Sequence, residues 1–176
     1  PGTPSGEPAP DMLTRIVLES PEKVHVVALG PLTNLGEALA AEPGLVENLD
    51  RITVMGGAVQ VPGNVGPSSG LGNEVAEWNL YVDPYAAAEV LRSGAPVTLV
   101  PLDATNHVPL TMEFYRRLER DRGTAVAEFA HRVLAAQEDR IRSGGYYFWD
   151  PLAAAAVVEP GLITVEEMSL LIVEEE

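Results

Sequence analysis

The sequence predicts an α/β fold with an open, mostly parallel sheet that carries helices on both faces. Short β-branched runs alternate with segments of helical spacing, which is the order of a parallel sheet with crossover helices. Glycine and proline break the chain at the junctions, as at Gly30 and Pro31. With 176 residues, of which 46% are hydrophobic, the chain can bury the core of one domain.

The first elements follow the order strand, tight turn and helix. Residues 1–10 are rich in proline, glycine and small polar residues, so we expect a loop or the edge left by a truncation. The domain is expected over residues 11–176. Helical spacing predicts a helix over residues 11–19, and the β-branched run predicts a strand over 23–29. A helix over residues 32–41 follows the proline turn.

The same alternation continues to the end of the chain, where the sequence stops directly after a predicted strand. That ending suggests a second cut edge. We expect strands over residues 51–55, 97–101 and 168–173, and helices over residues 85–92, 112–121, 125–142 and 151–158.

Loops that follow the strands are the expected place for a ligand, because open parallel sheets bind ligands beyond the carboxyl ends of their strands. These loops cover residues 29–34, 56–79, 103–107 and, if a short strand precedes it, 146–150.

Composition excludes several classes of function. A formal net charge of -15 repels a polyanion, so a nucleic-acid polymer is not an expected partner. The chain has no cysteine, which excludes thiolate nucleophiles and leaves oxygen ligands as the natural metal chemistry. Neither a membrane-spanning run nor a leader segment is visible, so we expect no membrane contact and a cytoplasmic protein.

The glycine-rich loop after the second strand contains polar residues suited to a polyol ligand, because asparagine amides both donate and accept hydrogen bonds. Glu77 and Asn79 flank Trp78, and in an extended segment their side chains would share one face while Trp78 points to the other. An ordinary edge strand with Trp78 in the core explains the same pattern. Asn64 also lies in this loop, whereas turn geometry is the preferred explanation for Asn73.

Three aspartates have ordinary structural explanations as well. Asp83 and Asp150 each precede a proline and a helix, the pattern of a helix N-cap. Asp103 follows a strand, and either a supporting role near a site or a loop-stabilising role fits it.

The three histidines show no metal-ligand spacing. His25 and His131 are expected to be structural or surface residues, and only His107 lies on a loop at a strand end. Serine-hydrolase, P-loop and dinucleotide-binding motifs do not occur.

Five strings of the sequence, in the same order and with similar spacing, resemble the inosine/uridine-preferring nucleoside hydrolases. They are VVALGPLTNL, MGGAVQVPGN, AEWNLYVDPYAA, VPLDAT and FWDPLAAA, which start at residues 26, 55, 76, 100 and 148. The resemblance implies a partial, truncated domain of the nucleoside hydrolase fold over residues 11–176.

The resemblance also implies a reaction, a cofactor and site residues. Water bound to Ca²⁺ would cleave the N-glycosidic bond of a ribonucleoside to free base and ribose, as in purine and pyrimidine salvage. The backbone carbonyl of Leu29 and the carboxylate of Asp150 correspond to metal ligands. Asn64, Glu77 and Asn79 correspond to residues that bind ribose hydroxyls, and Asp150 is expected to contact the substrate too.

Two departures from the family pattern affect the mechanism. The general base belongs to an aspartate motif that would lie upstream of Pro1 and is absent from this chain. Some relatives carry a histidine before the metal aspartate, but here the residue is Trp149, and an indole cannot protonate a leaving base. An aromatic side chain that stacks on the base is the expected substitute, with Tyr146, Tyr147 and Trp149 as candidates, and a core position explains Trp149 equally well.

The expected partner is therefore a small ribonucleoside, and the full-length protein is expected to be a homo-oligomer. The alternative is a degenerate homologue that binds nucleosides or sugars without catalysis.

Overall fold

The computed structural model describes residues 3–66, 70–170 and 172. No helix in these ranges is long and apolar enough to cross a membrane. Within the same ranges, 3-10 helix covers Pro43–Asn48 and Pro160–Leu162. The α-helices are α1 (Ala9–Glu19), α2 (Thr33–Ala41), α3 (Trp78–Val82), α4 (Pro84–Arg92), α5 (Leu102–Thr105), α6 (Met112–Arg120), α7 (Ala125–Ala135), α8 (Glu138–Arg142) and α9 (Trp149–Val158).

Within the described residues, a parallel sheet of three strands forms the centre of the fold, and the sequence predicts a parallel sheet. Its strands, in spatial order, are β1 (Val24–Ala28), β2 (Leu49–Met55) and β3 (Val97–Val100). Ala28 pairs with Val54, and Met55 pairs with Val100. The carboxyl ends of all three strands therefore lie side by side.

Helices cover both faces of this sheet, which confirms the predicted fold class. On one face Ile52 and Val54 of β2 pack with Val17 of α1, Leu35 of α2 and Val90 of α4.

On the other face α9 packs against β2, and Ala153 of α9 shares a cluster with Met55 and Val100. A third cluster joins the loop before α6 to α6 and α8 through Leu110, Tyr115 and Ile141. This last cluster fixes α8 beside the segment that leads into α9.

The first helix begins two residues earlier than predicted, at Ala9, so the expected loop over residues 1–10 is wrong at positions 9 and 10. Pro10 lies in the first turn, where a backbone N–H has no partner in the helix in any case. Residues 3–8 belong to no helix or strand, and residues 1 and 2 lie outside the described ranges.

The single helix predicted over residues 125–142 is wrong, because it is divided into α7 and α8. Gln137 leaves the helical conformation, with φ -115° and ψ 11°, and the chain restarts as α8. The break lets Ile141 turn into the third cluster, so tertiary packing overrides the local helical spacing.

The segment around Glu77 is also not the extended strand that its alternation predicts, since α3 begins at Trp78. Glu77 precedes this helix, and its side chain accepts hydrogen bonds from the backbone N–H groups of Asn79 and Leu80. Capping of these free donors favours the helical turn over the strand.

A final strand over residues 168–173 is not found where the structure describes this segment. Residues 168–170 and 172 are outside helices and strands, and positions 171 and 173 lie outside the described ranges. Ile172 instead packs against the first apolar cluster, so burial of its side chain does not require strand pairing.

Candidate active site

A cavity of about 510 Å³ opens at the carboxyl ends of the strands, where the rule for parallel sheets places a ligand. Leu29 follows β1, Met55 ends β2 and Leu102 follows β3, so each strand contributes one residue to the wall. The other lining residues are Asn64, Glu77, Trp78, Asn79, Asn106, Arg140, Gly145, Tyr147, Trp149 and Asp150.

All five residues expected to bind ribose or metal line this cavity. Three segments of the chain that are remote in sequence supply them. The fold thus brings together Leu29, Asn64, Glu77, Asn79 and Asp150, whereas their individual roles stay predictions.

Glu77 is the most constrained of the five, with only 3% of its surface exposed. Its carboxylate accepts backbone hydrogen bonds from Gly57 at 3.1 Å and from Asn79 at 3.0 Å. Burial raises the pKa of Glu77, although these hydrogen bonds oppose the rise, and the negative charge of Asp150 adds to it. The cavity therefore places a fixed carboxyl group where negative charge is disfavoured.

The two asparagines are oriented by backbone contacts. Nδ2 of Asn79 donates to the carbonyl of Met55 at 3.0 Å, which leaves its amide oxygen as a hydrogen-bond acceptor. Oδ1 of Asn64 accepts from the backbone N–H of Trp78 at 2.7 Å, which leaves its amide nitrogen as a donor. The pair can thus offer both kinds of hydrogen bond to a hydroxyl-rich ligand.

Asp150 is not the N-cap that its position before proline predicts. Helix α9 already begins at Trp149, Phe148 precedes it as the cap residue, and Asp150 lies in the first turn. Burial raises the pKa of Asp150, so negative charge is disfavoured here as well as at Glu77. An incoming cation would offset this cost at both carboxyl groups.

The described residues hold only part of a metal site. No group of three or more histidines, aspartates or glutamates is clustered among them in a way that could hold an ion. The carbonyl of Leu29 and the carboxylate of Asp150 are hard oxygen donors of the kind that Ca²⁺ prefers, but Ca²⁺ takes about six to eight oxygens. The donor type fits, and the donor number requires further ligands.

Aromatic rings form the wall next to Asp150. Tyr147 and Trp149 line the cavity, with ring centroids 5.6 Å apart, while Tyr146 contacts Trp149 edge-on at 5.0 Å and is not part of the lining. Nε1 of Trp149 is buried and has no hydrogen-bond partner among the residues that the structure describes.

Local bonds hold the long loop between β2 and α3 in place. Asp103, whose role the sequence left open, accepts backbone hydrogen bonds from Val59 at 2.8 Å and Gln60 at 2.7 Å. Asn73 accepts from Val75 and Ala76 within its own turn. Both side chains therefore stabilise the loop, and neither lines the cavity.

Asp83 is the N-cap predicted for α4, because its side chain accepts a hydrogen bond from the backbone N–H of Ala86.

The three histidines lie outside the lining of the cavity. His107 is exposed and does not line the cavity. His25 is hydrogen-bonded to Thr53 at 2.8 Å, and His131 is buried against Tyr115. The latter two histidines are structural, as predicted.

Sequence patterns missed three polar or aromatic members of the wall, namely Trp78, Asn106 and Arg140. Trp78 was expected on the face opposite Glu77 and Asn79, but the helical turn of α3 brings all three to the cavity, with Trp78 48% exposed. Arg140 reaches the site through the break between α7 and α8, which has no signal in the local sequence.

A larger hollow of about 930 Å³ lies beyond Trp78, which lines both spaces. Its lining is mainly apolar, with Leu71, Val75 and Val82, and Glu74 is its one acidic residue in the described lining. The lining of this larger space includes neither Asp150 nor the amides of Asn64 and Asn79. Its size alone therefore does not make it the better candidate for the active site.

Comparison with known proteins gives a consistent result. The model of the family described as inosine-uridine preferring nucleoside hydrolase matches residues 1–176. A pyrimidine-specific ribonucleoside hydrolase of Klebsiella pneumoniae is 35% identical over 165 residues, which are 90% of this chain and 50% of that protein.

Solved structures lead to the same family. An inosine-uridine preferring nucleoside hydrolase from Bacillus anthracis superimposes with a TM-score of 0.79 at 31% identity, covering 89% of this chain and 50% of that one. A purine-preferring ribonucleoside hydrolase from Gardnerella vaginalis gives a TM-score of 0.76 at 32% identity, covering 93% and 51%. The chain spans about half the length of the relatives that it matches.

Proposed function

Because this chain belongs to the inosine-uridine preferring nucleoside hydrolase family, we propose that the protein containing it hydrolyses the N-glycosidic bond of ribonucleosides to free base and ribose. The observation that carries the proposal is the convergence of Leu29, Asn64, Glu77, Asn79 and Asp150 on one cavity. Such a reaction belongs to nucleoside catabolism.

We assign the ribose to the polar side of the cavity. The amide oxygen of Asn79 accepts a hydrogen bond from a ribose hydroxyl, while the amide nitrogen of Asn64 donates one. Glu77 is held rigid by backbone donors, so it can orient a hydroxyl without the loss of side-chain entropy that a mobile glutamate would incur.

Leu29 and Asp150 would hold a Ca²⁺ ion through their carbonyl and carboxylate oxygens. When bound, this ion would lower the pKa of the attacking water and would help to orient the ribose hydroxyls. We propose that the remaining ligands and the general base come from an aspartate motif upstream of Pro1, so that residues 11–176 form the carboxyl-terminal part of a larger hydrolase domain.

The base would lie against the aromatic wall of Tyr147 and Trp149. Stacking orients the base and excludes water from its face. Of the three candidates, Tyr146 packs edge-on against Trp149 and does not line the cavity. The homo-oligomeric assembly and cytoplasmic location expected from the sequence are further proposals.

Replacing Asn79 with alanine in the full-length protein should raise KM for inosine and uridine on the order of tenfold, since one buried hydrogen bond to the ribose is lost. Steady-state kinetics with each nucleoside measures this change. Asn48→Ala is the matched control, because Asn48 lies in the 3-10 stretch before β2 and is not one of the lining residues. An Asn79→Ala enzyme with unchanged KM would contradict the ribose assignment.

A further inference from the structure

Arg140 is the one cationic side chain in the described lining of the cavity. Its guanidinium carbon lies 5.9 Å from the ring centroid of Trp149 and 5.7 Å from that of Tyr146. Both distances are within the range of cation–π contacts. The positive charge is therefore held at the aromatic wall, where the proposed function places the base.

Arg140 differs from Arg142, the other arginine of α8, in having no acidic partner in the described parts of the chain. Arg142 forms an ion pair with Glu138, whereas the ion pairs and side-chain hydrogen bonds found in residues 3–66, 70–170 and 172 include none from the Arg140 guanidinium. A guanidinium has five N–H donors and no acceptor. Arg140 thus offers several free donors to a ligand that lies on Trp149.

Cleavage of a nucleoside creates a need for such a donor. As the bond from the anomeric carbon to the base nitrogen breaks, its electron pair moves onto the base and spreads to the ring nitrogens and exocyclic oxygens. The oxygen of water forms the new bond to the anomeric carbon, and one proton of that water ends on the released base. The guanidinium keeps its own protons throughout, because an arginine side chain is not deprotonated in proteins.

We propose that Arg140 stabilises the departing base by donating hydrogen bonds to it, and that it thereby favours a base with an oxygen at purine C6 or pyrimidine C4 over one with an amino group at that position. An exocyclic oxygen accepts from the guanidinium, whereas an amino group at the same position only donates. This role replaces proton donation by a histidine, which Trp149 cannot perform. The inference rests on the proposed hydrolase function.

The test compares Arg140→Met, Arg140→Lys and wild type in the full-length protein. Methionine keeps an apolar stem over the rings but removes all donors, and lysine restores the charge. Substrates are inosine, adenosine, uridine, cytidine and nitrophenyl riboside, whose leaving group is stable as an anion without help. Arg142→Met is the matched control, since Arg142 is on the same helix and does not line the cavity.

Arg140→Met is expected to lower kcat/KM for inosine and uridine by about 10- to 100-fold. Adenosine and cytidine should lose less, nitrophenyl riboside should change by less than about threefold, and Arg140→Lys should recover part of the loss. Thermal unfolding of each variant checks that the fold is kept.

Other results would overturn the inference. Equal losses on every substrate, nitrophenyl riboside included, would make Arg140 a support of the fold or of ribose binding. Unchanged kinetics of Arg140→Met on inosine and uridine would remove any role for it. A wild-type protein that cleaves neither the nucleosides nor nitrophenyl riboside would instead refute the proposed function itself.

Discussion

Asp150→Ala in the full-length protein should lower calcium-dependent nucleoside hydrolysis by on the order of a thousandfold, because a bound metal supplies several kcal/mol of transition-state stabilisation. Asp150 contributes its carboxylate to the cavity beside Glu77, and burial makes negative charge costly at both groups. A cation that relieves this cost would be bound weakly once the carboxylate is removed.

Asp150→Asn separates the charge from the shape of the side chain. It keeps the size of the group in the first turn of α9, so a loss equal to that of Asp150→Ala would assign the effect to the carboxylate. Asp139→Ala removes an exposed aspartate of α8 outside the lining and should behave as wild type. Calcium titrations of initial rate provide the readout, and wild-type turnover by Asp150→Ala would refute the metal assignment.

The second large effect is expected for Gly63→Ala, which places a methyl group against the backbone of the same loop. A Cβ at position 63 would lie 2.0 Å from the carbonyl oxygen of Ala76 and 2.6 Å from its nitrogen. Two backbone hydrogen bonds hold these parts of the loop together. The N–H of Gly63 donates to the carbonyl of Glu74 at 2.9 Å, and the N–H of Asn64 donates to the carbonyl of Ala76 at 3.0 Å. The two segments of the loop that contain Gly63 and Ala76 must therefore move apart to accommodate the methyl group.

Separation would move Asn64 away from the N–H of Trp78, which starts the helix that carries Asn79. We expect a loss of about 3 kcal/mol in the free energy of unfolding from the clash. In the folded fraction, kcat/KM should fall on the order of 100-fold, since a shift near 1 Å is enough to misplace the ribose.

Chemical denaturation and steady-state kinetics of the same preparations test both effects. Gly123→Ala is the control, because a Cβ there meets nothing within 4 Å and the backbone angle is ordinary. A Gly63→Ala protein with the stability and kinetics of this control would show that the close approach does not position the site.

The fold was largely predictable because its signals are local. β-branched runs gave β1, β2 and β3, and the glycine and proline breaks placed the turns between them. Helix α3 was not predictable in the same way, since the alternation around Glu77 suits a strand, and only the backbone donors that Glu77 caps decide for a helix. The break before α8 likewise depends on burial of Ile141, which is a tertiary effect.

The site was predictable in position more than in detail. The sheet rule selects the loops that hold Asn64, Glu77 and Asn79, but the expected role of Leu29 belongs to its backbone carbonyl and therefore has no side-chain signal. The role expected for Leu29 therefore rests on the family resemblance alone. Arg140 was missed because its place in the wall depends on how α8 packs beside the aromatic segment.

The measurement that tests the central claim most directly is release of free base and ribose from a panel of purine and pyrimidine ribonucleosides. It is made with calcium and with a chelator, on this chain and on the full-length protein. We expect turnover by the full-length protein only, and its loss when chelator is added. If neither this chain nor the full-length protein cleaves any nucleoside, but a nucleoside still binds, the hydrolase proposal is contradicted. A non-catalytic nucleoside-binding module is then the better description.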